Sequence, residues 1–419
     1  MSNSMLTMGK HAKDASRLFS QASTNKKNSI LKTIASLIRL NEKAILRANR
    51  RDVLRQGENH PLSDRLMLNS KRLKEIRESL LAVVKLSDPI GEVIEKRRQS
   101  NGLDISLVRS PIGVLGIIYE SRPNATVEIS SLALKSGNAI ILKGGKDADS
   151  TNKLLVLLIQ RALVKHGFSK YTVQLLDTSQ KSLIAKLLRL NKYVDVIIPR
   201  GGRKLINFVR DNASVPIIET GAGVCHTYVE KTANLKKAAK IVENAKTQRP
   251  TVCNALDTLV LDQSIANEFL PAVARRLSKH KVVIKADPSS YKTLKSYYPE
   301  KLLKHASKND FGKEYLSLKM SVKTVKNASE AFNFIQKNTS GHSEAILTRN
   351  EKLGKQFLQI IDAATVYVNT STRFTDGFQF GLGAEVGIST QKLHARGPMG
   401  LRELTSNKWI VRSNWKSRK

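Results

Sequence analysis

Short apolar runs that alternate with amphipathic helical stretches limit the fold more than any other feature of this sequence. Between residues 113 and 221 the predicted strands are GVLGIIYE (113–120), AIILKGG (139–145), TVQLLD (172–177), VDVIIPRGG (194–202) and VPIIETG (215–221). Such alternation is typical of a parallel sheet covered by helices on both faces. The sequence therefore predicts an α/β fold.

A second alternating pattern follows and predicts a second α/β lobe. A helical stretch over 235–245 comes after the first of its apolar runs. The predicted strands are HTYVE (226–230), TLVLD (258–262), KVVIKAD (281–287), LSLKMSVKTV (316–325), EAILT (344–348) and ATVYVN (364–369). The order of strands and helices again indicates parallel pairing.

The first ninety residues show helical rather than strand periodicity. Apolar residues recur at helical spacing over 31–46, and a further stretch begins at Ser63, which we predict to be an N-cap. The segment EVIEKRRQSNGLDISLVRS (92–110) then contains two extended runs joined by Asn101-Gly102. Because Asn-Gly tolerates positive φ, this dipeptide predicts a β-hairpin. A last extended stretch is predicted over 405–415.

The loops at the ends of the first strands have the composition of a nucleotide site. Right-handed crossovers bring the carboxyl ends of parallel strands to one edge of the sheet. The loops expected at that edge cover 119–124, 143–146, 199–202 and 219–223, and they contain Gly, Pro and charged residues. The sequence has no G-x-G-x-x-G motif, so the common dinucleotide-binding fingerprint is absent.

The charge of the chain raises the question of nucleic-acid binding. The chain has 71 Lys and Arg against 35 Asp and Glu, a formal net charge of +36. Such a surface attracts phosphate polymers at low salt. However, the basic residues are spread along the chain, and aromatic residues make up only 5% of it. We therefore favour a solvated, lysine-rich surface and expect no specific nucleic-acid partner.

Composition also bears on the compartment and on metal binding. The longest obvious apolar run is Leu154–Ile159, far shorter than a membrane span, and residues 1–20 lack the apolar core of a secretory signal. We therefore expect a cytoplasmic protein without membrane contact. Two cysteines cannot form a disulfide framework, and no Cys/His cluster in the sequence indicates a zinc site, so no metal is expected.

The two cysteines lie in different settings. Cys253 lies in a predicted loop just before a strand, where Lys246 and Arg249 can favour a reactive thiolate. The alternative is an inert buried cysteine, which for a lone Cys is the commoner case. Cys225 precedes an apolar strand, and we interpret it as a buried core residue. Its neighbour His226 is a poor base for it, because adjacent strand residues point to opposite faces.

Six segments of the chain have the character of family motifs. They are GVLGIIYESRPN, LALKSGNAIILKGG, VDVIIPRGG, IETGAGVCHTYV, AKTQRPTVCNALDTLV and GLGAEVGISTQKLHARGPMGLREL. These segments closely resemble the gamma-glutamyl phosphate reductase family, within the aldehyde dehydrogenase superfamily, and the resemblance extends in order from the helical amino terminus to Trp409. The fold this implies is aldehyde dehydrogenase-like, with a Rossmann-like cofactor lobe, a catalytic lobe and a β-hairpin oligomerisation element.

The resemblance also implies a reaction and its catalytic residues. The family reduces L-γ-glutamyl phosphate to L-glutamate 5-semialdehyde and phosphate with NADPH, the second step of proline biosynthesis from glutamate. The family's nucleophile, which carries a thioester, corresponds to Cys253, so the resemblance reverses the preference for an inert thiol. Asn124 corresponds to the amide of the superfamily's oxyanion hole. Glu219 corresponds to its general base; here its role is either to orient Cys253 or to pair with a nearby cation.

The same resemblance supplies candidate binding residues. Lys143 replaces an Arg that is common in the family, and with Lys146 it suits the extra phosphate of NADPH. Glu314 matches the carboxylate that holds the nicotinamide ribose. The cofactor-binding candidates are Lys143, Gly145, Lys146, Arg200, Gly201 and Glu314. The candidates for the substrate's anionic groups are Arg122, Arg249 and Arg396, each of which can equally be a solvated or salt-bridged arginine.

The domain organisation implied by the resemblance is as follows. Residues 1–91 and 111–221 form the cofactor-binding domain, 222–385 form the catalytic domain, and 92–110 with 400–419 form the oligomerisation element. We expect a homo-oligomer, since pairing would protect an edge strand. A glutamate 5-kinase is an attractive partner because the acyl phosphate is labile, although no sequence feature indicates contact. A hydrolytic aldehyde dehydrogenase and a nucleic-acid-binding protein on the same scaffold are the alternatives.

Overall fold

The computed structural model describes residues 3–57, 63–120, 122–177 and 182–418. The chain forms two compact units. Unit 1 comprises Met1–Thr220, Gly381–Gly387 and Pro398–Lys419, and unit 2 comprises Gly221–Phe380 and Ile388–Gly397. The predicted cofactor-binding, catalytic and oligomerisation segments are functional assignments and stay predictions. In the described part of the chain, no helix has the length and apolar character needed to cross a membrane.

Unit 1 begins with helices, as the apolar spacing predicts. Asn69 caps the fifth of them by accepting a hydrogen bond from the backbone N–H of Arg72 at 2.8 Å. Ser63 is not the N-cap of this helix; it begins a separate single turn, because Asn69 lies closer to the long apolar stretch. The helices are α1 (Asn3–Phe19), α2 (Thr24–Leu40), α3 (Glu42–Gln56), α4 (Ser63–Leu66) and α5 (Ser70–Lys85).

The predicted hairpin is present. Strands β1 (Val93–Arg98) and β2 (Asp104–Pro111) pair in antiparallel fashion. Gly102 has a φ of +85°, a conformation that glycine adopts without steric cost. The turn chemistry of Asn101-Gly102 therefore sets the position of the hairpin.

A parallel four-stranded sheet forms the centre of unit 1. Its strands are β3 (Val114–Tyr119), β4 (Ala139–Lys143), β5 (Val173–Leu175) and β6 (Val196–Arg200), in the spatial order β5-β4-β3-β6. All residues of β3 are buried, which explains why it reads as a continuous apolar run. The associated helices are α6 (Pro123–Lys135), α7 (Asp149–Lys165), α8 (Ser182–Leu187) and α9 (Arg203–Asn212).

The prediction of a strand over 215–221 is wrong. Ile217 makes an isolated parallel bridge to Ile197, but the segment does not continue as a strand. The bridge consists of hydrogen bonds from Ile197 N–H to Pro216 O and from Ile218 N–H to Ile197 O. Pro216 has no N–H to donate, so a regular ladder cannot extend through it.

Unit 2 contains a parallel sheet of seven strands, in the spatial order β10-β9-β11-β8-β7-β12-β13. The short strand β10 was not predicted, because three residues give too little periodicity to recognise. The strands are β7 (Cys225–Val229), β8 (Leu256–Asp262), β9 (Val283–Ala286), β10 (Leu303–His305), β11 (Lys319–Val325), β12 (Ser343–Leu347) and β13 (Thr365–Val368).

Helices cover this second sheet, and apolar side chains fill the space between them. One cluster includes Leu259, Phe269 and Val322, and another includes Tyr228, Phe332 and Phe357. Both clusters are deeply buried, so the strands of unit 2 are held on rigid packing. The helices are α10 (Leu235–Thr247), α11 (Ala266–Lys279), α12 (Pro288–Leu294), α13 (Ala328–Asn338) and α14 (Glu351–Ile360).

The chain ends in short strands and one longer one. These are β14 (Ile388–Ser389), β15 (Gly397–Pro398) and β16 (Thr405–Arg412). Strand β16 pairs with β2 in antiparallel fashion and completes the sheet β1-β2-β16. The predicted extended stretch at the carboxyl terminus is thus confirmed. The described 3₁₀ turns are Lys146–Ala148, Lys170–Thr172, Gln263–Ile265, Glu300–Leu302, Lys308–Asp310, Thr372–Phe374 and Arg402–Leu404.

Candidate active site

Cys253 lies in the loop between α10 and β8 and is half-buried. The two ends of this loop are joined by Lys246, a buried residue near the end of α10. Its Nζ donates a hydrogen bond to the carbonyl oxygen of Leu256 at 2.7 Å and lies 3.8 Å from a carboxylate oxygen of Asp257. Burial lowers the pKa of Lys246 and raises the pKa of Asp257, and each residue opposes the shift of the other. These contacts thus join the end of α10 to the start of β8, the two ends of the loop that carries Cys253.

Asn254 fixes the residue next to the cysteine. Its side-chain amide donates to the carbonyl oxygens of Thr375 at 2.8 Å and of Arg373 at 3.3 Å. The Thr372 hydroxyl donates to the Asn254 carbonyl oxygen at 2.8 Å, and Nη1 of Arg373 donates to Oδ1 of Asn254. The segment after β13 therefore holds the loop of Cys253 from one side.

The backbone of Cys253 also packs directly on the segment that precedes β7. A Cβ atom at Gly223 would lie 1.6 Å from the carbonyl oxygen of Cys253, so only glycine fits there. The Sγ of Cys225 donates to the same oxygen at 3.3 Å. Cys225 is 0% exposed, and burial raises the pKa of its thiol well above the usual value. The interpretation of Cys225 as a buried core residue is confirmed.

Two histidines of unit 2, His226 and His342, are buried near Cys225. His226 is buried, and its Nδ1 lies 3.1 Å from the Oε2 atom of Glu344. His342 is also buried; its Nδ1 lies 3.9 Å from Sγ of Cys225, and burial lowers its pKa to about 4. Burial therefore keeps the imidazole of His342 neutral at neutral pH.

The cofactor candidates of unit 1 gather at one edge of its sheet, as predicted. Ile118 is paired with Lys143, and Tyr119 is paired with Arg200, so β3, β4 and β6 end together. Lys143 is half-buried; burial lowers the pKa of its ammonium, while Asp147 and Glu120 oppose that shift. Gly145 precedes the 3₁₀ turn that begins at the exposed Lys146. Ser121, in the predicted loop 119–124, lies outside the described residues.

The start of α9 already binds an anionic group. The Gly202 N–H donates to a carboxylate oxygen of Glu120 at 3.3 Å, and a Cβ at Gly201 would lie 2.7 Å from the Glu120 carboxyl carbon. Helix starts favour negative charge because their N–H groups lack partners within the helix. Arg200 instead contacts the backbone at 385–386. Its Nη1 donates to the carbonyl oxygens of Val386 at 2.7 Å and Glu385 at 3.3 Å.

Asn124 and its neighbours open helix α6. The N-cap position is Arg122, which is half-buried, and Pro123 is the first helical residue. From the sequence, Asn124 after Arg122-Pro123 is predicted to be an N-cap; this prediction is wrong, because Pro123 is itself the first helical residue. The Asn124 side-chain amide donates to Oε1 of Glu128 at 3.1 Å.

The two glutamates singled out from the sequence belong to different units. In unit 1, Oε2 of Glu219 lies 3.6 Å from Nη1 of Arg210, so Glu219 pairs with a cation. In unit 2, Oε1 of Glu314 accepts a hydrogen bond from the Gly223 N–H at 3.0 Å. Glu314 is therefore tied to the same segment that packs on the backbone of Cys253.

Of the arginines of unit 2 predicted to bind the substrate, Arg249 lies in the loop of Cys253 and is exposed. Nη2 of Arg396 instead donates to Asp362 at 2.6 Å, and Lys392 pairs with the same carboxylate. The salt-bridged alternative thus describes Arg396 in this structure. The sequence reasoning missed Asn254, Arg373 and Gly223; of these, only Asn254 had a signal, as the residue next to the nucleophile.

Comparison with known proteins assigns the family. The sequence pattern of the aldehyde dehydrogenase family matches residues 4–292 of the chain. The chain belongs to the aldehyde dehydrogenase family. A crystal structure of gamma-glutamyl phosphate reductase from Thermotoga maritima is similar to it with a TM-score of 0.94 and 46% identity, covering 99% of this chain and 100% of that one.

Two curated relatives narrow the assignment within the aldehyde dehydrogenase family. Gamma-glutamyl phosphate reductase of Chlorobium limicola is 49% identical over 409 residues, 98% of this chain and 97% of the relative. The enzyme of the same name from Clostridium tetani is 46% identical over 417 residues, again 98% and 97%. The resemblance noted in the sequence is confirmed, and the aldehyde dehydrogenase-like α/β fold with it.

Proposed function

We propose that this enzyme reduces L-γ-glutamyl phosphate to L-glutamate 5-semialdehyde and phosphate, the second step of proline biosynthesis from glutamate, with NADPH as the reductant. One observation carries the proposal: the chain is 46–49% identical, over nearly its whole length, to proteins named for this reduction. The half-buried Cys253, on a loop tied down at both ends, supplies a suitable nucleophile.

The chemistry requires a thiolate that forms and releases a thioester. The sulfur of Cys253 attacks the acyl carbon, a C–S bond forms, and the C–O bond to phosphate breaks with its electron pair leaving on phosphate. When bound, the nicotinamide cofactor supplies a hydride to the thioester carbon. The C–S bond then breaks, which releases the aldehyde and regenerates the thiolate. For Asn124 we propose donation to the oxyanion that forms at this carbon.

The residues at the sheet edge of unit 1 suit a dinucleotide. The hydrogen bond from the Gly202 N–H at the start of α9 to the Glu120 carboxylate supports this helix start as the proposed site of an anionic group such as a pyrophosphate oxygen. Lys143 and Lys146 supply the cations for the additional phosphate of NADPH. In unit 2, Glu314 is the proposed partner of the nicotinamide ribose. Gly145, Arg200 and Gly201 complete the proposed binding residues, with Arg200 positioning the backbone at 385–386.

Replacing Lys143 by alanine should raise the KM for NADPH about tenfold, with a smaller change in kcat. A half-buried ammonium facing a phosphate makes a charge-assisted contact worth about 1.5 kcal/mol or more. Steady-state kinetics with NADPH and NADH measures the effect, which we expect to be smaller for NADH. The matched control is Lys165→Ala, which removes an exposed lysine of unit 1 from the end of α7. Equal effects on both cofactors would contradict the assignment to the additional phosphate.

Replacing Glu219 by glutamine should leave phosphate-dependent turnover within about threefold of wild type. Glu219 pairs with Arg210, and a partly exposed ion pair of this kind contributes little. The reverse reaction uses phosphate as the acceptor, so a strong water-activating base would only hydrolyse the thioester. The kinetics of the variant with and without phosphate measures this. A loss of a hundredfold would instead assign Glu219 to the chemistry.

The experiment that tests the proposed function is NADP⁺ reduction with glutamate 5-semialdehyde, with and without inorganic phosphate. An acyl-phosphate reductase running in reverse needs phosphate to release the acyl group from sulfur. We expect turnover to depend on phosphate. Full turnover without phosphate, with glutamate as product, would indicate a hydrolytic aldehyde dehydrogenase instead.

We further propose that the enzyme is a cytoplasmic homo-oligomer that pairs through the β1-β2-β16 sheet. Strands β1 and β16 are the edges of this sheet and carry exposed apolar side chains, Ile94 and Trp409 among them. Such edges are usually protected by a partner. Light scattering of the purified enzyme measures the number of subunits. A glutamate 5-kinase that supplies the labile substrate remains a proposed partner, which co-sedimentation of the two enzymes tests.

A further inference from the structure

Arg373 is a fixed cation beside the nucleophile's loop, although it lies far from that loop in the sequence. It belongs to the 3₁₀ turn Thr372–Phe374, which follows β13. Its Nη1 donates to Oδ1 of Asn254, and its Nε donates to Oε1 of Gln248 at 2.8 Å. Asn254 and Gln248 flank Cys253 within one loop. The guanidinium is therefore held by two side chains of this loop, one before Cys253 in the sequence and one after it.

The charge of Arg373 is not neutralised by these contacts. Both side-chain partners are neutral amides. A guanidinium has five N–H groups, and three of those of Arg373 make no hydrogen bond to a described residue, so they can donate to an anion. Burial lowers the pKa of Arg373, and the guanidinium of Arg249 adds to this, while Asp376 and the sulfur of Cys253 oppose the shift. Arginine stays protonated under such conditions. Arg396, in contrast, is paired with a carboxylate.

We propose that Arg373 binds the phosphoryl group of the acyl-phosphate substrate, and inorganic phosphate in the reverse reaction, with Asn254 as the residue that positions its guanidinium. This inference rests on the proposed function. The phosphoryl group is bonded to the acyl group that Cys253 attacks, so it must lie near the sulfur when the C–O bond breaks. The electron pair of that bond leaves on phosphate, and a nearby guanidinium stabilises the charge that develops there.

The same cation also favours the nucleophilic form of the cysteine. A thiolate beside an arginine is stabilised, whereas a thiol is not. Arg373 thus assists attack before the phosphate leaves and accepts the phosphate afterwards. Arg249, exposed in the same loop, supplies a second positive charge at longer range.

The test compares wild type with Arg373→Gln in two assays. In phosphate-dependent oxidation of glutamate 5-semialdehyde, we expect the KM for phosphate to rise about 10- to 100-fold, with the KM for NADP⁺ little changed. In the absence of substrates, alkylation of Cys253 by iodoacetamide at pH 7 should slow about tenfold, with its pH profile displaced upwards. Arg373→Lys should recover part of both effects. Arg275→Gln, an exposed arginine of α11, is the control and should change neither.

The outcomes separate this inference from the proposed function. If wild type shows no phosphate-dependent turnover, the proposed function fails, whatever Arg373 does. If wild type depends on phosphate but Arg373→Gln keeps both its phosphate KM and its alkylation profile, the inference is overturned. Should Arg373→Gln not fold, Gln248→Ala tests the same point, because it keeps the charge and releases the Nε side of the guanidinium while Asn254 still holds the loop of Cys253. That variant should raise the phosphate KM, and an unchanged value contradicts the proposal.

Discussion

Replacing Cys253 by alanine is expected to reduce phosphate-dependent oxidation of glutamate 5-semialdehyde by about 10⁴-fold or more. Every step of the proposed reaction passes through a bond to this sulfur, so no other side chain can substitute for it. The loop around it is held by Lys246 and Asn254, which do not depend on the thiol, so the variant should fold normally. Turnover, with circular dichroism as a check on folding, measures the effect.

Cys225 provides the matched control for this experiment. It is the other cysteine of the chain, is fully buried, and contacts the Cys253 carbonyl through its own sulfur. Cys225→Ala removes one thiol without removing the nucleophile, so its loss of turnover should stay below about tenfold. Iodoacetamide should modify native wild type once, at Cys253, as mass spectrometry can show. Turnover by Cys253→Ala above one per cent of wild type would contradict the thioester mechanism.

The elements that the sequence predicts best are those with strong local signals. The hairpin at Asn101-Gly102 and the buried strand over 113–120 are both present, because turn chemistry and continuous apolar character are properties of neighbouring residues. The segment 215–221 has the same apolar character but contains Pro216, and it forms isolated bridges rather than a strand. Whether an apolar run pairs depends on the partner strand, which local sequence does not contain.

Some residues of the candidate site can likewise be predicted from the sequence, and others cannot. The ends of β3, β4 and β6 meet at one edge, so Lys143 and Arg200 could be grouped from topology alone. Arg373 could not, because it contacts Asn254 across 119 residues of sequence and follows a different strand. Arg396 looked equivalent to the other arginines in the sequence, but its pairing with Asp362 depends on where the fold places that carboxylate.

Replacing Gly223 by alanine is expected to reduce turnover about 100-fold, although residue 223 carries no reacting group. The added Cβ would lie 1.6 Å from the carbonyl oxygen and 2.9 Å from the Cα of Cys253, and both are backbone atoms that cannot rotate away. The loop of Cys253 must therefore move. A displacement of about 1 Å at a nucleophile can cost about 100-fold in rate. Overpacking should also lower the free energy of unfolding by about 1–3 kcal/mol.

Gly354→Ala is the matched control, because this helical glycine of α14 has its nearest neighbour, a methyl group of Val368, at 3.4 Å from an added Cβ. Alanine there adds the same methyl group to the same unit in ordinary van der Waals contact, so turnover should stay at the wild-type value. Kinetics and urea unfolding of both variants separate misplacement of Cys253 from loss of stability. If Gly223→Ala is destabilised but the folded fraction turns over normally, the contact of Gly223 with the Cys253 backbone serves packing alone. A hundredfold loss in fully folded protein means that this contact sets the position of the sulfur.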